Sequence, residues 1–174
     1  MIDAMRWRVF AMLVLGLLAS LPAAAQPAPG ARCGVDVGFE PIGVGTPRPF
    51  HAVVLVSAPG GGWVTAFEAN PTGRAPSWGW LVARQRDVSR DPLKAGAIVK
   101  TGAAPGFQTC AWLVNRLRDL AGELNSSRIP YAPAPEAQFN AANSNSFAYW
   151  AVSRLRVAPP SAPPGTSGYY ANLR

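Results

Sequence analysis

Two runs of apolar and β-branched residues mark the clearest strands of the chain. Residues 50–58 read FHAVVLVSA and residues 63–70 read WVTAFEAN, with Pro-Gly-Gly-Gly between them at 59–62. Two such runs on either side of a glycine turn predict a β-hairpin. Residues 78–88, which carry one polar face, and residues 97–101 predict a third and a fourth strand.

The spacing of apolar residues then changes from that of a strand to that of a helix. Five residues follow one another at steps of three and four: Cys110, Leu113, Leu117, Leu120 and Leu124. This stripe predicts an amphipathic helix over residues 107–124. After a loop at 126–142, a second helix is predicted over residues 145–156, with Phe147, Ala151, Val152 and Leu155 facing inward. These elements predict an α+β fold, an antiparallel sheet of about four or five strands with two main helices packed on it.

The first 25 residues have the three parts of a secretory signal peptide. Arg6 and Arg8 precede an apolar run at 9–18, and three alanines at 23–25 precede the expected cleavage before Gln26. The run is shorter than the roughly 20 apolar residues that a membrane-spanning helix needs. We therefore expect an exported protein, periplasmic or secreted and bacterial in its residue usage, that is not an integral membrane protein.

Proline and glycine divide the rest of the chain. With 174 residues the length fits one domain. Residues 26–49 are rich in both residue types and show little periodicity, so we expect a loose arm there. Residues 50–157 hold the predicted strands and helices, and residues 158–174 form a proline-rich tail that we expect to be extended.

The positive charge is spread out rather than clustered. The formal net charge is +7, and the densest group of basic residues is Arg84, Arg86 and Arg90. Proteins that bind nucleic acid group their basic residues and interleave them with aromatic residues. We therefore expect no nucleic-acid partner, but a solvated basic surface that is weakly attracted to anionic polymers or lipids of the cell envelope.

The composition also limits metal and cofactor chemistry. One histidine excludes a His-rich metal site, and two cysteines exclude a zinc ribbon or finger. The three consecutive glycines join two strands and lack the Gly-Lys-Ser/Thr and following helix of a phosphate-binding loop. We expect neither a metal nor a cofactor.

Export changes the interpretation of the two cysteines, Cys33 and Cys110. Cysteines of exported proteins usually form disulfides, so we expect these two to pair and to tie the N-terminal arm to the body. The alternative is that Cys110 is a catalytic thiol. Its place on the apolar stripe of the first helix favours the buried, structural role.

Two features could carry chemistry. His51 is the only histidine and opens the first strand of the hairpin, although a histidine at a strand end is often merely exposed or hydrogen-bonded. The second feature is the polar box of residues 143–146, Asn-Ser-Asn-Ser, directly before Phe147. Asn and Ser are preferred at the N-cap of a helix, which explains one or two of the four residues.

The order of these features resembles that of the circularly permuted papain-like hydrolases. That superfamily includes the permuted NlpC/P60 proteins and the lecithin:retinol acyltransferase-like group. In it a histidine opens the first strand, and a helix start of the form Asn-Cys-Asn-x-Phe follows near the C-terminus. The agreement in element order extends from Phe50 to Leu155. The resemblance implies a papain-like fold whose nucleophile begins a helix packed on the sheet.

Residue by residue, the resemblance gives His51 the role of the family histidine and Phe147 that of the packed aromatic. Ser144 stands where the family has its nucleophilic cysteine, with Asn143 and Asn145 as flanking binding residues. A helix N-terminus can ionise a thiol but not a serine hydroxyl. A nucleophilic Ser144 therefore needs His51 as a general base, oriented by a third group.

The hairpin register suggests where the third group lies. If the turn centres on Gly60 and Gly61, facing residues have numbers that sum to about 121. Asn70 then faces His51 and is our first choice, and Glu68, opposite Val53, is our second. Both have an alternative role as ordinary polar residues at a strand end.

These observations give two hypotheses for the function. In the first, the chain is an exported papain-like domain that hydrolyses or transfers the acyl group of an envelope amide or ester, with backbone N–H groups at the start of the second helix holding the oxyanion. In the second, the fold is kept without the chemistry, and the cleft binds an envelope peptide, glycan or protein. The sequence does not distinguish peptide, lipid and glycan-peptide substrates.

Overall fold

A five-stranded antiparallel sheet and two helices make up the described part of the chain. The computed structural model describes residues 27–28, 30–43, 49–102, 108–135, 140–171 and 173. The predicted signal peptide lies outside these residues. The elements are β1 (Gly34–Pro41), β2 (Phe50–Ser57), β3 (Trp63–Pro71), β4 (Leu81–Arg86), β5 (Ile98–Thr101), α1 (Cys110–Ser127) and α2 (Ser144–Arg154).

The strands lie in the order β4-β3-β2-β1-β5, and all neighbouring pairs are antiparallel. The predicted α+β fold is therefore confirmed. The hairpin of β2 and β3 has the predicted register, since Val54 faces Phe67 and Leu55 faces Ala66. The register shifts beyond Val56, where Ser57 pairs with Trp63. A β-bulge of this kind increases the local twist of a strand.

The expectation of a loose arm at residues 26–49 is wrong for its middle part, which forms β1. This strand pairs with β2 along its whole length, from Gly34 opposite Ser57 to Pro41 opposite Phe50, and with β5 on its other side. The residues alternate between apolar and other types, as in a strand with two different faces: Val35, Asp36, Val37, Gly38, Phe39, Glu40. The nearby prolines and glycines hid this short period.

The two faces of the sheet differ in chemistry. One face packs on both helices and forms the main core, with alternate residues of each strand that include Val37, Phe39, Val54, Phe67 and Leu81. The opposite face has only a small apolar cluster, built on Val53, Leu55 and Ala66. His51 precedes Val53 by two residues, so it belongs to this second face.

The helices lie close to their predicted positions and differ at their ends because of capping. The side chain of Thr109 accepts a hydrogen bond from Trp112 N, so α1 begins at Cys110 and continues to Ser127, past the predicted end. Asn143 caps α2, which therefore begins at Ser144. Within the described ranges, neither helix is both long and apolar enough to cross a membrane.

Cys33 and Cys110 form the predicted disulfide, with their Cα atoms 4.7 Å apart. The bond joins the residue before β1 to the first residue of α1. It closes a loop that contains all five strands of the sheet. Because both cysteines of the chain are bonded, a catalytic role for a free Cys110 thiol is excluded.

The C-terminal tail packs on the domain instead of extending away from it. Tyr169 is fully buried, and its ring contacts those of Phe39 and Tyr149, with both centroid distances at 5.3 Å. The predicted extended tail therefore holds for its proline-rich part at most. The aromatic residues that follow the prolines carry the tail back into the core.

Removing the disulfide should lower the stability of the fold without changing its architecture. A closed loop of this length, whose partners are separated by 77 positions in sequence, corresponds to about 4 kcal/mol in the chain-entropy account. We expect the double variant Cys33→Ser, Cys110→Ser to lose about 2–4 kcal/mol of unfolding free energy in urea. The reduced wild type should match the variant, and equal stability of the reduced and oxidised proteins would contradict the prediction.

Candidate functional site

The site lies where β2 and β3 separate. The ladder between these strands ends at Val54 and Phe67, whereas β3 stays paired with β4 as far as Pro71. Beyond that point, two backbone groups of β2 bond instead to the side chain of Asn145. Its Oδ1 accepts from Ala52 N at 2.6 Å, and its Nδ2 donates to Phe50 O at 2.9 Å.

This contact holds the start of α2 against the strand of His51. A carboxamide offers one acceptor and two donors, so it can replace the backbone of a neighbouring strand. The two groups it satisfies belong to Phe50 and Ala52, the residues on either side of His51. Asn145 therefore fixes the place of α2 relative to the backbone of the candidate base.

Local sequence explains why the helix begins there. Asn143 Oδ1 accepts from the backbone N–H groups of Asn145 and Ser146, and Ser146 Oγ accepts from Asn143 N. This reciprocal arrangement is a capping box. The tail completes the site, because Ser167 O accepts from both asparagine side chains and Gly168 O accepts from Ser146 Oγ.

Ser144 is the member of the polar box that takes no part in these bonds. It is only 5% exposed. Its hydroxyl forms no hydrogen bond with any residue in the described ranges, and neither does its backbone N–H. Among the described residues, Tyr169 is the one with a side-chain oxygen or nitrogen that is both fully buried and without a partner, so the unbonded hydroxyl of Ser144 keeps contact with solvent.

His51 pairs with Glu68, the second of the two candidates for the third group. The distance from His51 Nε2 to Glu68 Oε2 is 3.2 Å, and the two side chains are 11% and 5% exposed. Asn70, the first candidate, donates to Glu68 Oε1 at 3.1 Å. Glu68 thus contacts the imidazole directly, and Asn70 contacts Glu68.

The carboxyl group of Glu68 stays ionised over the whole physiological range. Burial opposes its ionisation, but hydrogen bonds from His51 and Arg84 outweigh that effect and lower the pKa from 4.5 to about 2. Arg84 donates to Glu68 Oε1 through both Nε and Nη2. An ionised carboxylate accepts hydrogen bonds only, so it favours the imidazole tautomer that carries its proton on Nε2.

Two further charged residues surround this pair. Arg86 Nη1 donates to Glu68 Oε2 at 3.3 Å, and the same guanidinium forms two bonds to the carboxylate of Glu40. Glu40 faces His51 directly across β1 and β2. We call this set the charge cluster: Glu40, His51, Glu68, Arg84 and Arg86.

The charge cluster does not fit a metal ion, although three of its members have suitable ligand types. Ligand atoms of Glu40, His51 and Glu68 lie within 4.8 Å of one another. However, the guanidinium of Arg86 already bonds to both carboxylates. A cation placed among these oxygens would meet the positive charge of Arg86 at close range, so we assign no metal to the site.

The sequence analysis missed Glu40 and Arg86. Glu40 lay within the presumed arm, and Arg86 was counted with Arg84 and Arg90 as a solvated basic group, whereas it is 6% exposed. The alternation of Ala83, Arg84, Gln85 and Arg86 was the available signal. In a strand it places the two arginines on one face, which is the face of His51.

The charge cluster and the start of α2 approach the gap between β2 and β3 from different sides. His51 belongs to the sheet face without helices, whereas the apolar residues of α2 pack on the other face. Asn145 links the two through the backbone of β2. The imidazole of His51 and the hydroxyl of Ser144 can therefore meet only through the gap between β2 and β3.

Comparisons with known proteins identify no relative, since no protein-family model, curated protein or solved structure matches the chain. The roles of Ser144, His51, Glu68 and Asn70 thus rest on the chemistry of the site and on the resemblance in sequence pattern.

Replacing Asn145 should destabilise the fold far more than replacing an exposed asparagine. Asn145→Ala leaves Ala52 N and Phe50 O without their partner, and a buried polar group left unpaired costs about 1–3 kcal/mol. We expect a loss of about 2–3 kcal/mol in urea unfolding. Asn115→Ala, on the exposed side of α1, is the matched control and should change stability by less than about 0.5 kcal/mol. Similar losses for both variants would contradict the role assigned to Asn145.

The contribution of Glu68 to stability should depend on pH in a defined window. Because its folded-state pKa of about 2 lies below the unfolded value of 4.5, the ionised group stabilises the fold above about pH 4.5, and this contribution falls as the pH drops toward 2. The stability deficit of Glu68→Gln relative to wild type should therefore be largest near pH 6 and shrink steadily below pH 4.5. Urea unfolding of both proteins across this range measures it, and a constant deficit would contradict the assignment.

Proposed function

We propose that the protein is an exported papain-like domain that transfers or hydrolyses the acyl group of an amide or ester in the cell envelope. Ser144 is the nucleophile and His51 the general base. One observation carries this proposal. Every other residue of the polar box is bonded to cap α2 or to hold it on β2, while the hydroxyl and N–H of Ser144 bond to none of the residues that the structure describes.

The proposed chemistry begins with a proton transfer. Glu68 holds Nε2–H of His51, which leaves Nδ1 as the basic nitrogen. Nδ1 removes the proton of the Ser144 hydroxyl as its oxygen attacks the carbonyl carbon of the substrate. The imidazolium then gives this proton to the departing amine or alkoxide, and the acyl group stays on Ser144. Water, activated by the same nitrogen, releases the acyl group as a carboxylic acid.

The start of α2 supplies a donor for the negative charge that develops on the carbonyl oxygen. The N–H groups of Asn145 and Ser146 are occupied by the Asn143 side chain, and Phe147 N bonds to Asn143 O. Among the described residues, no acceptor bonds the N–H of Ser144, which lies at the positive end of the helix dipole. It is our candidate for the oxyanion donor, on the same residue as the nucleophile.

The placement of His51 on the sheet face opposite the helices favours a second function. If the gap between β2 and β3 keeps the imidazole away from Ser144, the same site binds without chemistry. The chain is then an envelope binding module for a peptide, glycan or protein partner. The two functions differ in whether His51 activates a group at position 144.

A thiol at position 144 should be unusually reactive if the site is catalytic. In Ser144→Cys, the helix start favours the thiolate, and His51 takes up the thiol proton if it is the base of the site, so we expect alkylation by iodoacetamide at pH 7 about tenfold faster than in Ser126→Cys. Ser126 lies on the exposed side of α1, and its variant is the matched control. Adding His51→Ala should remove most of the difference. The rates follow from mass spectrometry of protein with its disulfide intact.

The unmodified serine offers a second readout. A fluorophosphonate probe should label wild-type protein at Ser144 and leave His51→Ala unlabelled, because the hydroxyl depends on its base. A Ser144→Cys thiol that reacts like the exposed control, together with no labelling of the wild type, would contradict the enzymatic proposal and favour the binding module.

A further inference from the structure

A cleft lies at the end of the β2–β3 hairpin that is remote from His51. It consists of two adjoining chambers, of about 800 and 310 Å³, between β3, α1 and the residues that precede β1. Ala58, on the wall of the larger chamber, follows His51 in β2 by seven positions, which corresponds to roughly 20 Å along an extended strand. The cleft is therefore separate from the candidate site.

The β-bulge of the hairpin shapes one wall of this cleft. Val56 pairs with Thr65 and Ser57 pairs with Trp63, so Val64 is the extra residue of the bulge. Consecutive residues of a regular strand point to opposite faces of a sheet. Trp63, Val64 and Thr65 nevertheless all line the larger chamber. A bulge bends its strand and redirects its side chains, which explains why three consecutive residues meet one cleft.

The smaller chamber has an apolar wall and one charged residue. Helix α1 contributes Ala111 and Val114 to the wall, and β3 contributes Val64. Arg118 lines both chambers, and among the described residues it is the only charged one that lines either. Concave, largely apolar sites of roughly 300–1,000 Å³ with a few polar groups are typical of small-molecule binding.

The guanidinium of Arg118 is fixed in place by side-chain amides. Its Nε donates to Gln85 Oε1 at 2.9 Å, and its Nη1 donates to Asn115 Oδ1 at 3.2 Å. Gln85 Nε2 donates to Thr65 Oγ1, which in turn donates to Arg86 O. A chain of hydrogen bonds thus ties Arg118 to the backbone of β4. A guanidinium that is ordered before binding loses less entropy when a ligand binds.

The positive charge of Arg118 is not compensated within the described part of the chain. Both of its partners are neutral amides, and no described carboxylate pairs with it. Arg116 on the same helix, by contrast, pairs with Glu123. A guanidinium has five N–H donors, of which these amides use two. The cleft therefore presents a positive charge with further donors beside an apolar wall.

We propose that this cleft binds a small amphiphilic carboxylate, with its carboxylate on Arg118 and its apolar chain against Val64 and Val114. A carboxylate matches the guanidinium through two parallel N–H···O bonds. The single positive charge balances a monoanion, whereas a phosphate monoester carries about −1.5 to −2 at neutral pH. The net positive charge of the protein also favours the approach of an anion. The proposal does not depend on the chemistry of Ser144.

Isothermal titration calorimetry with octanoate, octanol and octyl phosphate tests the proposal, because the three probes share an eight-carbon chain and differ in charge. We expect octanoate to bind about tenfold more tightly than octanol, since only the anion forms charge-assisted hydrogen bonds. It should also bind more tightly than octyl phosphate. Arg118→Met should weaken octanoate binding about tenfold and leave octanol binding unchanged. Arg118 is exposed, so its variant should fold.

Arg116→Met is the matched control, since it makes the same charge change on the same helix but outside both chambers. It should change octanoate affinity by less than about twofold, because solvent screens its charge. Val114→Trp tests the apolar chain by filling the cleft and should weaken octanoate and octanol alike. Ser144→Ala should bind octanoate as the wild type does, and a loss of binding there would place the ligand at the candidate site instead.

Four results would overturn the proposal. They are no measurable binding of octanoate by the wild type, equal binding of octanoate and octanol, equal losses in Arg118→Met and Arg116→Met, and tighter binding of octyl phosphate than of octanoate. Each of them would leave the proposed function of Ser144 and His51 untouched, because that function is tested by labelling and alkylation at position 144.

Discussion

The carboxamide of Asn145 is the contact on which the geometry of the site depends. It takes over two hydrogen bonds of β2 at the point where β3 turns away, and it ties the start of α2 to the residues that flank His51. Without it, the separated strands would expose unpaired backbone groups in the interior. The gap in the sheet and the position of the helix are thus consequences of the same bond.

The chain uses this device a second time, at the other helix. Asn125 of α1 accepts from Ala83 N at 2.7 Å and donates to Ala83 O at 3.0 Å. Because β4 is an edge strand, this asparagine closes backbone groups that would otherwise face outward. Both helices therefore dock on the sheet through an apolar stripe and one asparagine. The apolar stripe of each helix buries nonpolar surface against the sheet, while the asparagine fixes the position of the helix along the strand.

Local patterns in the sequence were enough to predict the hairpin, its register and both helices. The register followed from a tight turn, because the two glycines at its centre fix which residues face each other. The disulfide was predicted from the expected export and an even number of cysteines. β1 was missed because its alternation extends over only eight residues between segments rich in proline and glycine. Its pairing with four residues of β5 is a long-range contact that no local pattern contains.

The candidate site was predictable to a smaller extent, for a physical reason. His51, Glu68 and the polar box were visible as residue types at element ends. Burial of Arg86 and Glu40 depends on the pairing of β1 with β2 and of β3 with β4. Together these pairings bring Glu40 and Arg86, which lie 46 positions apart in sequence, into contact. The roles within the box also needed the tertiary structure, because Asn143, Asn145 and Ser146 bond to the tail and to β2 as well as to one another.

The division of roles within the polar box leaves Ser144 with neither of its two structural roles. A helix start in this position needs a cap, and Asn143 with Ser146 provides it. It also needs an anchor to the sheet, and Asn145 provides that. A buried residue that does neither could be alanine, which has the highest helix propensity and adds no polar group to desolvate. A serine whose hydroxyl makes no hydrogen bond to the described residues has a lower helix propensity than alanine and gains nothing in exchange, and sites that depart from the most stable choice are typically sites of function.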